Sequence, residues 1–261
     1  YGGYELFLKE DESFYNECLQ KIPFINEFLK PFFKAEVFVK QMDRFQFGGI
    51  FEHLIFNPFE AQIDTGNMMQ ALLKKAHQND ILILNNQTVT HHQELNDGVE
   101  VVTNGFAFKT NKLVFTTNGF ASQLTNNQVQ PARAQVLITK PIPNLDLKGT
   151  FHLDEGYYYF RNINDRILLG GGRNLDFQGE TTTSHDTTEL IQNRLEELLK
   201  NVILPLTHFE IDHRWSGTMG IGAHKKPIVE QLSNHVYCGV RMGGMGVAIG
   251  SIIGQDVADL I

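Results

Sequence analysis

Apolar residues near the start of the chain recur at three- and four-residue steps. Phe14, Tyr15, Cys18, Leu19 and Ile22 follow Asp11 and Ser13, two residue types that cap helix N-termini. The spacing predicts a helix that meets Pro23, where it ends or where a second helix begins, carrying Ile25, Phe28 and Leu29. Around Glu36–Val39 and Phe45–Phe51 the pattern changes to alternation, which predicts strands. Asp64-Thr65-Gly66 then opens a helix with Met68, Met69, Leu72, Leu73 and Ala76 on one face and Lys74 and Lys75 near its C-terminal end. Asn79-Asp80 stops it, and Ile81-Leu82-Ile83-Leu84 reads as a strand buried on both faces.

Further strands are predicted at Thr88–His91, Val99–Thr103, Ala107–Lys109, Lys112–Thr117 and Ala134–Thr139. Tyr157–Arg161 and Arg166–Gly170 form a hairpin across Asn162-Ile163-Asn164-Asp165, a loop of turn-forming residues. Thr187–Asn201 is an amphipathic helix with Leu190, Ile191, Leu195, Leu198 and Leu199 inward. After a short strand at Phe209–Ile211 and a Gly-rich loop, Val236–Val240 is a buried strand. It runs through Gly243-Gly244-Met245-Gly246 into a helix from Val247 to Leu260.

Composition narrows the classes. With 42% apolar and 20% charged residues over 261 positions, the chain buries a core, and its length suits one large domain or two interleaved ones. A net charge of −8 argues against nucleic-acid binding, which needs clustered Lys and Arg. No apolar run approaches the roughly 20 residues of a membrane span. Cys18 and Cys238 stand far apart without a Cys-x-x-Cys pair, which excludes a disulfide scaffold and a thiolate zinc site and fits a cytoplasmic location. The histidines show no metal-ligand spacing, so no metal is expected. Tyr1 stands where an initiating Met would, and Tyr1-Gly2-Gly3-Tyr4 has no signal-peptide character, so the chain is expected to be a piece of a longer protein.

The candidate chemistry concentrates in the last strand–turn–helix. Three glycines between a buried strand and a helix N-terminus let a ligand approach backbone amides that carry a partial positive charge. Phosphate, or the N1–C2=O edge of a reduced flavin, fits such a turn. A plain strand–helix turn needing φ > 0 uses the same residues, and both readings stay open. No G-x-G-x-x-G occurs in the chain.

The order of segments resembles the FAD-dependent oxidoreductases of the D-amino-acid oxidase and glycine oxidase (DAO) type. Ile63-Asp64-Thr65-Gly66 with Ile81–Leu84 and Thr88-Val89 is similar to the family's helix and adenine-side strand. Leu113–Gly119 is similar to its strand and turn beside the cofactor, and the 157–171 hairpin to its substrate-domain hairpin. Trp215-Ser216-Gly217, Lys226-Pro227-Ile228 and Gly243–Gly246 resemble its C-terminal signature.

The resemblance implies an α+β, α/β fold: an incomplete FAD/NAD(P)-binding (glutathione-reductase-like) domain at 63–125 and 208–261, interleaved with an antiparallel-sheet substrate domain at 1–62 and 126–207. It implies oxidation of an amine or amino-acid C–N bond by hydride transfer to flavin N5, with oxygen or another acceptor taking the electrons. Gly243, Gly244, Met245, Gly246 and Val247 are then assigned to the flavin. Thr117, Asn118 and Gly119 are assigned to its phosphate–ribose side, and Val89 to the adenine through its backbone. Each has a structural alternative: a strand-end turn for 117–119, strand core for Val89.

Tyr159 and Arg161, two apart on a strand, share a face and suit a substrate anion, or else form a solvent-facing pair. Trp215 is assigned to packing, and no catalytic acid or base is assigned. Two departures stand out. The family's N-terminal G-x-G-x-x-G unit is missing, without which the fragment is expected to be inactive. Met219 stands where the family carries a carboxylate-clamping Arg, and a thioether cannot make the bidentate pair of a guanidinium. Two alternatives are a non-catalytic binding or assembly protein on the same scaffold and a flavin dehydrogenase using another acceptor.

Overall fold

The computed structural model describes residues 1–123 and 129–261. The expected boundary at 125/126 lies outside the described residues. In chain order the strands are β1 (Gly3–Glu5), β2 (Val39–Met42), β3 (His53–Asn57), β4 (Val89–Leu95), β5 (Gly98–Thr103), β6 (Ala107–Thr110) and β7 (Leu113–Phe115). They continue as β8 (Gln130–Thr139), β9 (Thr150–Leu153), β10 (Tyr158–Ile163), β11 (Arg166–Gly171), β12 (Ile211–Ile221), β13 (Ile228–Gln231) and β14 (Val236–Val240). The helices are α1 (Glu12–Phe33), α2 (Thr65–Gln78), α3 (Glu189–Leu198) and α4 (Gly246–Leu260). They divide between two compact units, one of residues 1–64, 134–177 and 186–216, the other of residues 65–133, 178–185 and 217–261.

In the first unit an eight-stranded sheet runs β12-β8-β11-β10-β9-β1-β3-β2. Its registered pairs are antiparallel except β1 with β9. The β10–β11 hairpin turns on Asn164 and Asp165, both at positive φ, the two-residue geometry whose twist matches its strands. One sheet face is apolar. Tyr4, Phe151, Phe160, Leu169 and Leu137 alternate inward along their strands and meet Ile191, Leu195 and Leu198 of α3. Phe151 and Phe160 stack at 4.7 Å between centroids.

Pro23 does not end α1; it lies inside a single 22-residue helix, as does Pro31. A proline interrupts one backbone bond, but both halves of α1 are held by tertiary contacts. Phe14, Cys18, Leu19 and Ile22 pack on Phe7, Tyr15 and Ile55. Further along, Asn26 accepts from the amides of Val37 (3.0 Å) and Phe38 (2.9 Å) and donates to the Phe38 carbonyl (2.7 Å). The alternation at Phe45–Phe51 yields no strand, only a bridge between Ile50 and Leu8. Its aromatics serve the core instead, Phe47 meeting the Phe151 and Phe160 rings edge-on.

In the second unit β13-β14-β7 form one sheet, with β14 and β7 parallel, and β4-β5-β6 another. Val99, Val101, Phe115, Val236, Cys238 and Val240 make its core. Helix α4 lies close on β14, where Gly239 has no side chain: a Cβ there would come within 2.5 Å of Val257 Cγ2. The run expected as a doubly buried strand, Ile81–Leu84, is not a strand, and Leu82 is 81% exposed. α2 has no buried residue on the face expected to be inward. A strand needs a neighbour for its amides and carbonyls, and among the described residues 81–84 pairs with none. The expected loop after Ile211 is also ordered, as β12 and β13. No helix among the described residues is long and apolar enough to cross a membrane.

Candidate active site

β7 and β14 run side by side in the same direction, so both chains leave the sheet at one edge. Ligands of such sheets bind outside the carboxyl ends of the strands. Here three segments of the second unit converge at that edge. After β7, Asn118 adopts positive φ and its Oδ1 accepts the Met242 amide at 3.0 Å. The Gly243 amide donates to the Gly220 carbonyl at 2.9 Å, joining the end of β12 to the same knot. Arg241 and Gly243, both at positive φ, turn the chain from β14 into α4, and Arg241 Nε donates to the Lys226 carbonyl at 2.8 Å.

The glycines here are of two kinds. At Gly119 a Cβ would approach the Met219 carbonyl at 2.7 Å, and at Gly220 it would approach Asn118 Oδ1 at 2.6 Å, so both exist for close packing of backbone. At Gly243 a Cβ would meet nothing within 4 Å, and at Gly244 only Met219 Sδ at 3.9 Å. These two positions face open space. α4 begins immediately after them without a side-chain cap, so the Gly246 and Val247 amides have no intrahelical acceptor. Met245 and Val247 are each more than half exposed, and Thr117 is exposed. The structure therefore brings together Asn118, Gly119, Gly243 and Gly244. Val89, by contrast, is partly buried and packs against the Val99–Phe115 core.

The first unit carries the other expected residues. Arg161 pairs with Thr150 and Tyr159 with His152, directly across β10 and β9. Their side chains share the sheet face opposite the Phe151–Phe160 core. Tyr159 leans over Gly170, where a Cβ would come 2.6 Å from its hydroxyl. Burial raises the phenol's pKa, so it stays a hydrogen-bond donor at neutral pH. Burial lowers that of Arg161 and the Asp64 charge offsets part of the change, leaving the guanidinium charged. Trp215, expected to pack, is 39% exposed.

The same face holds residues that sequence reasoning missed. Glu5 is opposite His152 across β1 and β9, and Gly3 is opposite Thr150. Thr150 Oγ1 donates to Glu60 Oε1 at 2.6 Å. β1 and β9 have three and four residues, too few for a period to show, and they meet across nearly 150 positions of sequence. The one local signal is a charged or polar residue flanked by buried apolar ones, in Tyr4-Glu5-Leu6 and Phe151-His152-Leu153.

The family described as FAD dependent oxidoreductase (DAO) matches residues 30–260. The chain belongs to that family. The mixed α/β fold with its large mixed sheet and FAD as cofactor are those of the DAO family. Over 214 residues the chain is 20% identical to a probable oxidoreductase, OrdL, of Haemophilus influenzae, covering 79% of this chain and 49% of that protein. It thus spans about half the length of that curated relative. A solved glycine oxidase from Geobacillus kaustophilus superposes with a TM-score of 0.83 at 15% identity, over 99% of this chain and 70% of the other. An L-proline dehydrogenase from P. horikoshii superposes with a TM-score of 0.76 at 18% identity, over 99% and 71%. The open Cα positions of Gly243 and Gly244, beside uncapped amides, leave room for a flat, electron-rich group such as the edge of a flavin.

Proposed function

We propose that the protein oxidises an amine or amino-acid carbon–nitrogen bond with FAD. The observation that carries this reading is the open glycine turn at the α4 N-terminus, at the carboxyl edge of a parallel strand pair, in a chain of the DAO family. Bound FAD would supply a hydride acceptor, flavin N5, and the resulting imine is hydrolysed by water. In this reading Gly243, Gly244, Met245, Gly246 and Val247 hold the flavin edge, and the helix end favours the negative charge of its reduced form. Thr117, Asn118 and Gly119 serve the phosphate–ribose side, and the Val89 backbone serves the adenine.

Tyr159 and Arg161 receive the substrate's anionic group. Arg161 supplies a planar fork of donors and Tyr159 one more. This assignment gives Arg161 the role that Met219, a thioether, cannot fill. Arg161→Ala is expected to raise KM for an anionic substrate about 10- to 100-fold, the loss of one charge-assisted contact. Steady-state kinetics check it, and an unchanged KM removes Arg161 from the site.

A second reading, a flavin dehydrogenase passing electrons to an acceptor other than oxygen, is raised by the likeness to the L-proline dehydrogenase. Both readings need a yellow, FAD-containing protein whose absorbance bleaches with an amine or amino acid. Oxygen consumption with and without a quinone acceptor then separates them. A colourless protein that takes up no FAD sinks both.

A further inference from the structure

We propose that Glu5, with Glu60 beside it on the same face, is the proton acceptor for the substrate's ammonium group, so that substrates enter as cationic amines. The inference rests on the oxidase reading above. Tyr159, His152 and Glu5 form one row across β10, β9 and β1, and Arg161, Thr150 and Gly3 form the next. Residues directly opposite on neighbouring strands project to the same face, so the two carboxylates stand on the face that carries the anion-binding pair. One face thus carries a cationic group on β10, Arg161, and an anionic one on β1, Glu5, with β9 between them, as a molecule bearing both charges requires.

Each member is placed by a specific feature. Gly3 has no side chain, and the Glu60 carboxylate fills the space a Cβ would take, fixed by the 2.6 Å bond from Thr150. His152 lies between the acids, Nδ1 3.9 Å from Glu5 Oε2 and Nε2 3.8 Å from Glu60 Oε1. Both distances exceed hydrogen-bond reach, so the imidazole holds neither acid fast. The Glu5 carboxylate makes no hydrogen bond among the described residues, and the side chain is 29% exposed. The carboxylate is thus partly open to solvent and not tied to a donor, so it can take up and release a proton.

The groups around Glu5 decide its charge. Tyr159 and His152 face it along the row, and Lys40 lies on the same face at the row's far end, on β2. Cys18 approaches from α1, with Glu17, Lys21 and Glu155 around that thiol. Burial first, and the Glu60 charge second, push the Glu5 carboxyl up to about 7. In the proposed step the substrate's ammonium gives one proton to the Glu5 carboxylate and becomes the neutral amine. From that neutral amine, transfer of hydride from the adjoining carbon to bound FAD would leave a protonated imine. The proton on Glu5 then leaves directly to water, which reaches its partly exposed side chain.

The test is the pH dependence of kcat/KM, which reports groups of the free enzyme, in the FAD-loaded protein with amino acids as probes. Wild type is expected to gain activity as pH rises through about 7, where Glu5 becomes the base. Glu5→Gln is expected to lose that ionisation and about 100-fold in kcat/KM at pH 7.5, with FAD content retained and Glu5→Asp restoring part of the rate. Carboxyl-13C NMR of glutamate-labelled protein gives a readout apart from turnover: one resonance titrating near neutrality, absent in Glu5→Gln. An unmoved pH profile in Glu5→Gln, or no neutral glutamate titration, overturns the inference and leaves the oxidase reading intact. Absence of flavin reduction by any amine in wild type overturns both.

Discussion

Gly244→Val is expected to strip FAD from the protein while leaving the fold intact. A Cβ there would meet only Met219 Sδ, at 3.9 Å, an ordinary contact with the end of a flexible side chain. φ at this residue lies outside the left-handed region, so a branched side chain is tolerated by the backbone, unlike at Gly243 with φ +58. The added methyls would instead occupy the place assigned to the flavin edge. Overpacking of that kind costs about 1–3 kcal/mol, a weakening of FAD affinity of roughly 10- to 100-fold. Gly220→Ala is the contrasting control. Its Cβ would run into Asn118, so it is expected to lower the melting temperature as well as flavin content. Absorbance at the flavin band, read beside far-UV circular dichroism, separates the two effects. Normal flavin content in Gly244→Val would place the cofactor elsewhere.

Arg133→Ala is expected to be the most destabilising of these substitutions. Arg133 Nε and Nη2 donate to the two oxygens of Glu180 at 2.9 and 2.5 Å, and the Arg133 amide donates to the Glu180 carbonyl at 2.8 Å. The side chains are 7% and 1% exposed. Removing one member leaves the other charge buried, which typically costs about 3–5 kcal/mol. The pair ties residues 178–185 to the start of β8 within the second unit. The double variant Arg133→Met/Glu180→Leu is expected to regain most of that loss, because two apolar groups leave no buried charge behind. Urea unfolding read at constant slope measures both. A single variant within about 1 kcal/mol of wild type would mean that water reaches the pair.

Where an element's pattern was long and its partner close in sequence, the residues alone revealed it. The β10–β11 hairpin is one case, although Asn162 and Ile163, expected in its loop, extend β10 and leave a two-residue turn, and β14 running through the glycines into α4 is another. The strand expected at Val99–Thr103 is β5, with Val99 and Val101 buried. Legibility failed where stability comes from distant contacts. Pro23 looked like a boundary because the tethers of α1, Phe7, Ile55 and the 37–38 backbone, lie elsewhere in the chain. Ile81–Leu84 looked buried because hydrophobicity reports a preference and says nothing of whether a neighbouring strand is present to satisfy it.

The candidate site divides the same way. The glycine turn, Asn118-Gly119 and the Tyr159–Arg161 alternation were visible as residue types in order, because a backbone that must approach a ligand or turn at positive φ demands glycine whatever surrounds it. Sequence alone therefore determined the family and the cofactor class, and singled out the strand–turn–helix to which a ligand is assigned. Tertiary structure decided which glycines serve packing and which face open space. It also decided that Glu5, His152 and Glu60 share a face with Arg161. Those outcomes depend on register between strands far apart in the chain, where a shift of one residue would turn every side chain to the other side.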